Sequence, residues 1–178
     1  KDHFDHWLSG DTVRARDLCD KIVKQAHHNG EPGVLFLDAA NRSNPVPHLY
    51  PLEATNPCGE QPLASYTACN LGNINLCRFV NEEGRFDYDA LAETTRVATR
   101  FMDNIIDYNM DNHAFDKIKK AVASDRRIGL GITGLADALL MMKIKYDSQE
   151  ALDETEKMMR VIRDEAYKMS IEIGKEKG

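Results

Sequence analysis

The sequence has few cysteines, and their spacing suits neither a disulfide framework nor a metal site. The four are Cys19, Cys58, Cys69 and Cys77, and no two of them form a CxxC pair. No histidine stands at ligand spacing from them, which disfavours zinc. An even number of cysteines does not imply disulfides in an intracellular chain. We therefore predict no metal site, and we interpret Cys19 as a small core or boundary residue and Cys77 as structural.

Long apolar runs and an excess of positive charge are also missing. No run approaches the roughly 20 residues of a membrane span, and the sequence starts without a signal-peptide pattern. The formal net charge of −6 argues against non-specific binding to nucleic acid. A length of 178 residues suits one ordinary domain. These absences predict a cytoplasmic protein with neither a membrane nor a nucleic-acid partner.

The most informative segment that is present is Asn56-Pro57-Cys58-Gly59-Glu60. In an extended chain, Asn56, Cys58 and Glu60 would line one face with about 7 Å between neighbours. Pro57 lacks an amide hydrogen and Gly59 allows a tight bend, so a loop or a strand tip is predicted. One face would then offer an amide, a thiol and a carboxylate to a small molecule.

The surroundings of Cys58 in the sequence indicate the kind of thiol chemistry. A nearby carboxylate, Glu60, disfavours a second negative charge and so favours the neutral thiol. Nucleophilic cysteines usually lie beside a cationic side chain or a helix N-terminus, and His48 is the one such group within about ten residues. A neutral S–H group suits hydrogen-atom chemistry.

The periodicity of the first third of the chain predicts a helix, a strand and a loop. Asp11 is predicted to cap a helix that ends at Asn29-Gly30. The apolar residues 34–37 are predicted to be a strand buried on both faces. Residues 41–62 contain five prolines and are predicted to form a long loop that leads into the Cys58 segment.

The rest of the chain is predicted to alternate between strands and helices. Residues 70–80 are predicted to be a strand, 81–84 a turn, and Asp87 the cap of the next helix. The predicted buried stripe of that helix consists of Leu91, Thr95, Ala98, Phe101, Ile105 and Tyr108. Residues 127–132 are predicted to be a buried strand, followed by a helix through Met142. The final helix, from about Ser148 to a solvated end after Glu172, is predicted to bury Leu152, Met159, Ile162, Ala166, Met169 and Ile173. This alternation favours an α/β layer architecture.

Two features could bind a phosphate, but each has a simpler interpretation. Gly129, Gly131 and Gly134 have the spacing of a dinucleotide-binding loop, yet no acidic residue ends a second strand about 20 residues later. The glycines are therefore interpreted as allowing close approach to a strand. Arg126 and Arg127 could meet a phosphate, although such basic clusters more often form a solvated face.

Three motifs, in this order, resemble the catalytic subunit of ribonucleotide reductase. They occupy residues 54–63, residues 68–76, and residues 126–131 with 134–137. The Asn-Pro-Cys-Gly-Glu form resembles class II, the adenosylcobalamin-dependent branch. The resemblance implies a fold that is part of a ten-stranded α/β barrel, with Cys58 on a finger loop that threads its centre.

The resemblance also implies a role for four residues. Cys58 corresponds to the cysteine that becomes a transient thiyl radical and takes the 3′ hydrogen of the ribose. Glu60 corresponds to the base for the 3′ hydroxyl, and Asn56 to the amide that hydrogen-bonds the sugar. Cys69 corresponds to one of two cysteines that reduce the substrate as the 2′ hydroxyl leaves. The implied activity is radical reduction of ribonucleoside di- or triphosphates to 2′-deoxyribonucleotides, which supplies DNA replication.

Several family features have no matching residues in this chain. They are the second reducing cysteine, the allosteric nucleotide site, the substrate phosphate loop and a C-terminal cysteine pair. We therefore expect residues 1–178 to be one partial domain of a longer catalytic subunit, inactive in isolation. The alternative is a non-catalytic piece that only associates with the rest of the barrel.

The cofactor and the partners are likewise implied by the resemblance. Class II implies adenosylcobalamin, whereas class I would imply a partner subunit with a diiron or dimanganese centre. The implied partners are the remaining segments of the catalytic subunit, the ribonucleotide, a thioredoxin-like or dithiol reductant, and a second copy in a homodimer.

Overall fold

The computed structural model of the chain describes residues 13–68 and 70–177. The chain divides after Leu63 into two compact units. The predicted cap Asp11 lies outside the described residues, as does Cys69. Helices and strands are mixed, as the α/β prediction requires, but the described strands form two separate two-stranded sheets and no closed barrel.

The first described helix of the first unit is α1, Ala15–Asn29. It ends where predicted, because Gly30 adopts a left-handed conformation with φ of 82° and donates its N–H to the carbonyl of Ala26 at 2.8 Å. None of the residues of α1 is buried. Cys19 is exposed, so its assignment to the core or its boundary was wrong.

The strand predicted at residues 34–37 was also wrong. No regular structure covers residues 31–36, and helix α2 spans Leu37–Arg42. Phe36 is 76 % exposed. A run of four apolar residues becomes a strand only beside a partner, and no described strand pairs with this one. Ala39 and Ala40 instead favour the helix that begins at Leu37.

The predicted loop at residues 41–62 contains the first strand of a short hairpin. Strand β1, Ala54–Thr55, pairs antiparallel with β2, Pro62–Leu63. Leu52 and Leu63 are buried at its base. The Cys58 segment connects the two strands.

The second unit is built on two parallel strands and four helices. Strand β3, Leu71–Asn75, pairs with β4, Gly129–Thr133, in register from Leu71 opposite Gly129 to Asn75 opposite Thr133. The helices are α3, Tyr88–Asn109; α4, Asp116–Asp125; α5, Leu135–Met141; and α6, Gln149–Lys177. The strand predicted at 70–80 is shorter than expected, because Leu76–Phe79 forms a 3-10 helix.

The predicted turn and cap before α3 are confirmed. Val80 and Phe86 form an antiparallel bridge around the turn. Gly84 in that turn has φ of 76°. The side chain of Asp87 then accepts a hydrogen bond from the N–H of Ala90 at 2.9 Å, which satisfies one free donor of the first helical turn.

The core of the second unit lies between the sheet and its helices. Ile74 and Leu76 pack there with buried residues of three helices, namely Leu91, Ala138, Met158 and Ile162. Gly131 on β4 lies so close to β3 that an added Cβ would stand 2.5 Å from Asn73 Oδ1. The glycines of β4 therefore do allow the close approach that the sequence predicted.

The predicted buried stripes of α3 and α6 were only partly right. On α3 the buried residues are Leu91, Thr95, Thr99, Met102, Asp103 and Ile106, while Phe101 and Tyr108 are exposed. On α6 they are Ala151, Met158, Ile162, Met169 and Ile173, while Leu152 and Met159 are exposed. The buried face of α3 is rotated relative to the predicted stripe, because this helix packs against both β3 and α6.

The end of α6 is exposed at residues 174–177, as predicted, and it also makes charged contacts with α3. Arg96 and Arg100 of α3 pair with Glu172 and Glu176 at 2.8 and 2.6 Å. Lys177 forms ion pairs with Asp103 and Asp107. Ion pairs therefore join the α6 tail to α3 between Arg96 and Asp107. Among the described helices, none combines the length and the apolar character needed to cross a membrane.

Candidate active site

Asn56, Cys58 and Glu60 lie in the turn of the β1–β2 hairpin. The hydrogen bonds of the hairpin continue beyond its two short strands, with Glu53 N–H to Leu63 O at 2.9 Å and Asn56 N–H to Gln61 O at 3.3 Å. Residues 57–60 therefore form the tip. The prediction of a strand tip is confirmed.

Gly59 makes the tight bend at this tip. It has φ of 81°, a conformation that residues with a Cβ rarely adopt. Its N–H donates to the carbonyl of Asn56 at 3.1 Å, which closes the turn around Cys58. The thiol of Cys58 is exposed on this turn.

The side chain of Asn56 organises the turn from within. Its Oδ1 accepts a hydrogen bond from the N–H of Gln61 at 3.0 Å. Its Nδ2 donates to Oε1 of Glu60. An extended segment would separate side chains four residues apart by about 13 Å, so the extended arrangement of these three residues was wrong. The turn instead brings amide and carboxylate into contact, with Cys58 between them in sequence.

This turn carries both an exposed thiol and an oriented carboxylate. The Asn56 amide donates to Oε1 of Glu60, and no described residue hydrogen-bonds to the other oxygen, Oε2. That oxygen is available to accept a proton or a hydrogen bond from a bound molecule. A thiol that can lose a hydrogen atom and a base that can take a proton therefore lie on one turn.

Cys69 lies outside the described residues. Its neighbour Asn70 donates a side-chain hydrogen bond to the carbonyl of Met102 on α3 at 2.7 Å, and β3 begins at Leu71. The assignment of Cys69 as a reducing cysteine stays a prediction.

Arg126 and Arg127 pair with protein carboxylates. Arg126 contacts Asp103 at 2.8 Å and Asp107 at 2.7 Å. The hydrogen bond to Asp103 is the main cause of its raised pKa. Arg127 pairs with Asp125 at 3.4 Å. These contacts favour a structural role over phosphate binding.

Sequence reasoning missed three polar residues around the hairpin. Asn41 and Asn44 hydrogen-bond the chain that leads into β1, and neither stood in a motif that indicated this. Gln61 belonged to the first motif but was assigned no role. Its Oε1 is buried and has no hydrogen-bond partner among the described residues. No group of three or more His, Cys, Asp or Glu side chains that could hold a metal occurs in residues 13–68 and 70–177.

Comparison with known proteins identifies the family. Residues 5–178 match the family model of the ribonucleotide reductase barrel domain. A vitamin B12-dependent ribonucleoside-diphosphate reductase of Thermoplasma acidophilum is 46 % identical over 166 residues, which is 93 % of this chain and 21 % of that protein. The protein of the same name from Mycobacterium tuberculosis is 46 % identical over 164 residues, 92 % of this chain and 23 % of that protein.

More distant relatives extend the match beyond the B12-dependent proteins. The large subunit of the ribonucleoside-diphosphate reductase of Caenorhabditis elegans is 35 % identical over 173 residues, 94 % of this chain and 21 % of that protein. The chain thus spans about a fifth of the length of these relatives. On the match over residues 5–178, the chain belongs to the ribonucleotide reductase barrel-domain family.

Proposed function

We propose that this chain supplies the radical-cysteine turn of a protein that reduces ribonucleotides to 2′-deoxyribonucleotides. Cys58 takes the 3′ hydrogen atom of the ribose, Glu60 takes the proton of the 3′ hydroxyl, and Asn56 hydrogen-bonds the sugar. Cys69 is one of two thiols that provide the reducing electrons. Residues 1–178 form one partial domain of the ten-stranded barrel, and the hairpin turn is its finger.

The observation that carries the proposal is the contact between Asn56 and Glu60 across the Cys58 turn. It orients a base beside an exposed thiol, and Gly59 holds the bend. Hydrogen-atom and proton transfer from adjacent positions of one sugar require two such groups on one small surface. The relatives whose matches cover 93 % and 94 % of this chain are ribonucleoside-diphosphate reductases by name.

The atoms balance in the proposed reaction. The thiyl radical of Cys58 takes the C3′ hydrogen atom, so the C3′–H bond breaks and an S–H bond forms, while Glu60 accepts the 3′-hydroxyl proton. The 2′ hydroxyl takes a proton from one of two thiols, one of them Cys69, and leaves as water. The two thiols supply two electrons and a second proton, which place a hydrogen on C2′, and become a disulfide. Glu60 then returns its proton to the 3′ oxygen, and Cys58 returns its hydrogen atom to C3′ and becomes a thiyl radical again. A dithiol or a thioredoxin-like protein then reduces that disulfide.

The cofactor proposal rests on the names of the relatives. Two relatives are called vitamin B12-dependent, so we propose adenosylcobalamin as the radical source. No motif of this chain is a recognisable cobalamin ligand, so we expect the groups that bind the cofactor to lie in other parts of a longer protein. The class I alternative is a partner subunit with a dimetal centre.

The proposal is tested with the full-length protein that contains this chain. Ribonucleoside diphosphates and triphosphates are incubated separately with a dithiol, with and without adenosylcobalamin, and deoxynucleotides are measured. We expect product only when the cofactor is present. Product without it would reject the class II assignment. No product from a folded, cobalamin-bound protein would favour the alternative, a non-catalytic piece that only associates with the barrel.

A further inference from the structure

We infer that Asn41 is a positioning residue for Cys58, because its side chain fixes the base of the hairpin that carries the thiol. The inference rests on the proposed function. Asn41 lies on α2, and its side-chain hydrogen bonds go to the backbone of Leu37 and Leu52 rather than to the turn. Its effect would pass through the backbone of β1.

The amide of Asn41 uses all of its hydrogen-bonding groups on the backbone. Its Nδ2 donates to the carbonyl of Leu52 at 2.8 Å and to that of Leu37 at 3.0 Å. Its Oδ1 accepts from the N–H of Leu52 at 2.8 Å. The pair of bonds to Leu52 resembles the pairing of one residue with a neighbouring strand. The side chain thereby fixes both the position and the direction of the chain at Leu52.

A second asparagine closes the loop just before this point. Asn44 donates from Nδ2 to the carbonyl of Tyr50 at 2.8 Å and accepts at Oδ1 from the N–H of Val46 at 3.0 Å. It is buried. The loop between α2 and Leu52 is thus held at both ends, which leaves little freedom for the chain to enter β1 in another direction.

The path from Leu52 to Cys58 is short and hydrogen-bonded throughout. Leu52 is buried, and the next residue, Glu53, donates its N–H to Leu63 at 2.9 Å. Thr55 pairs with Pro62, and Asn56 with Gln61. A displacement of Leu52 would therefore be carried along the hairpin to the thiol. A shift of about 1 Å at reacting atoms can cost on the order of 100-fold in rate.

Asn41→Asp tests the clamp without changing its volume. The carboxylate still accepts from Leu52 N–H, but it has no donor for the carbonyls of Leu37 and Leu52, and it places an anionic oxygen against them. Asn29→Asp is the matched control, because Asn29 only accepts a local hydrogen bond from Glu31 N–H at 3.1 Å. An aspartate keeps that bond.

The experiment measures turnover of the full-length protein with a 3′-deuterated ribonucleotide. For Asn41→Asp we expect kcat per active site to fall about 10- to 100-fold with KM unchanged. The 3′-deuterium isotope effect on kcat should rise, because hydrogen transfer to a misplaced thiol becomes more rate-limiting. Asn29→Asp should match wild type in both quantities. Asn41→Gln, which keeps every donor on a longer side chain, should show a smaller change in the same direction.

Each outcome decides a different claim. If Asn41→Asp only lowers the melting temperature, with kcat per active site and the isotope effect unchanged, the positioning role is wrong. If that variant does not fold, an unchanged isotope effect in folded Asn41→Gln overturns the inference just as well. If the wild-type protein makes no deoxynucleotide, the proposed function fails first and the positioning role fails with it.

Discussion

The contact between Asn56 and Glu60 decides what the Cys58 turn can do at the scale of single residues. A hydrogen bond to a carboxylate contributes about 1.5–3 kcal/mol when it is shielded, and less when it is exposed as here. The contact matters for chemistry because it orients the Glu60 carboxylate. One carboxylate oxygen accepts from the Asn56 amide, and the other stays available to accept a proton. This orientation supports the proposal that Glu60 of the turn is the base.

Glu60→Gln should abolish most turnover without disturbing the turn. A glutamine oxygen still accepts from Asn56 Nδ2, so the contact survives, but the neutral amide cannot take a proton. We expect kcat of the full-length protein to fall about 10²- to 10⁴-fold. Glu82→Gln, at an exposed position in another turn, is the control and should leave kcat unchanged. A Glu60→Gln variant with nearly normal kcat would exclude Glu60 as the base.

The sequence predicted the turn but not the contact inside it. Pro57 and Gly59 act locally, and local backbone preferences can be read from residue types. The approach of Asn56 to Glu60 depends on the left-handed Gly59 and on the hydrogen bond to Gln61. The prediction from alternating positions assumed an extended chain, and it therefore placed Asn56 and Glu60 far apart although their side chains are hydrogen-bonded.

At the scale of elements, helix boundaries could be predicted from the sequence, whereas buried faces and strand pairing could not. Asp87 and Gly30 were identifiable as helix boundaries because capping depends on one or two residues. The buried face of α3 was not, since it includes Asp103, whose burial depends on Arg126 and Lys177 from distant parts of the chain. The strand prediction at residues 34–37 was wrong for a similar reason, because a strand forms only where a distant segment of the chain pairs with it.

The hairpin predicts a selective effect of alanine at Gly59. Nothing lies within 4 Å of the added Cβ, but the positive φ of 81° is strained for alanine. We expect a local cost of about 1–2 kcal/mol, seen as faster amide exchange at Gln61 and lower kcat. Gly33→Ala is the control, because it also adds a Cβ into open space without a positive φ. Equal behaviour of the two variants would contradict the assigned role of Gly59.

The ion cluster at the α6 tail predicts a pH-dependent stability. Burial alone would raise the pKa of Asp103, but hydrogen bonds from Arg126 and Lys177 outweigh it and lower that pKa. A lowered folded-state pKa stabilises the fold above the ordinary aspartate pKa of about 3.9. That stabilisation is lost as the pH falls through the folded-state value.

Asp103→Asn measures this contribution. In the full-length protein we expect it to lower the free energy of opening of α6 by about 1–3 kcal/mol at pH 7, as read by amide exchange. The difference from wild type should shrink as the pH falls below about 3.9 towards the lowered folded-state pKa of Asp103. Asp164→Asn, which removes an exposed pair with Arg163, should cost at most about 1 kcal/mol. A loss that does not shrink at any pH below about 3.9 at which the protein stays folded would rule out the charged contacts as its cause.

At the scale of the whole molecule, the two faces of strand β3 differ in their exposure to solvent. Ile74 of β3 faces the helices and is buried, whereas Leu71, Asn73 and Asn75 on the other face are exposed. Parallel sheets are normally covered on both faces. This chain spans about a fifth of the length of its relatives. We therefore expect another segment of a longer protein to cover the exposed face of β3.

The most direct test of the account compares Cys58→Ala with Cys19→Ala in the full-length protein. Both cysteines are exposed, so the two substitutions differ mainly in whether they remove the proposed hydrogen-atom acceptor. The measurement is deoxynucleotide formed per active site, with ribonucleotide binding measured in parallel. We predict that Cys58→Ala binds ribonucleotide normally and forms no product, while Cys19→Ala matches wild type. Deoxynucleotide formation by Cys58→Ala would contradict the central claim.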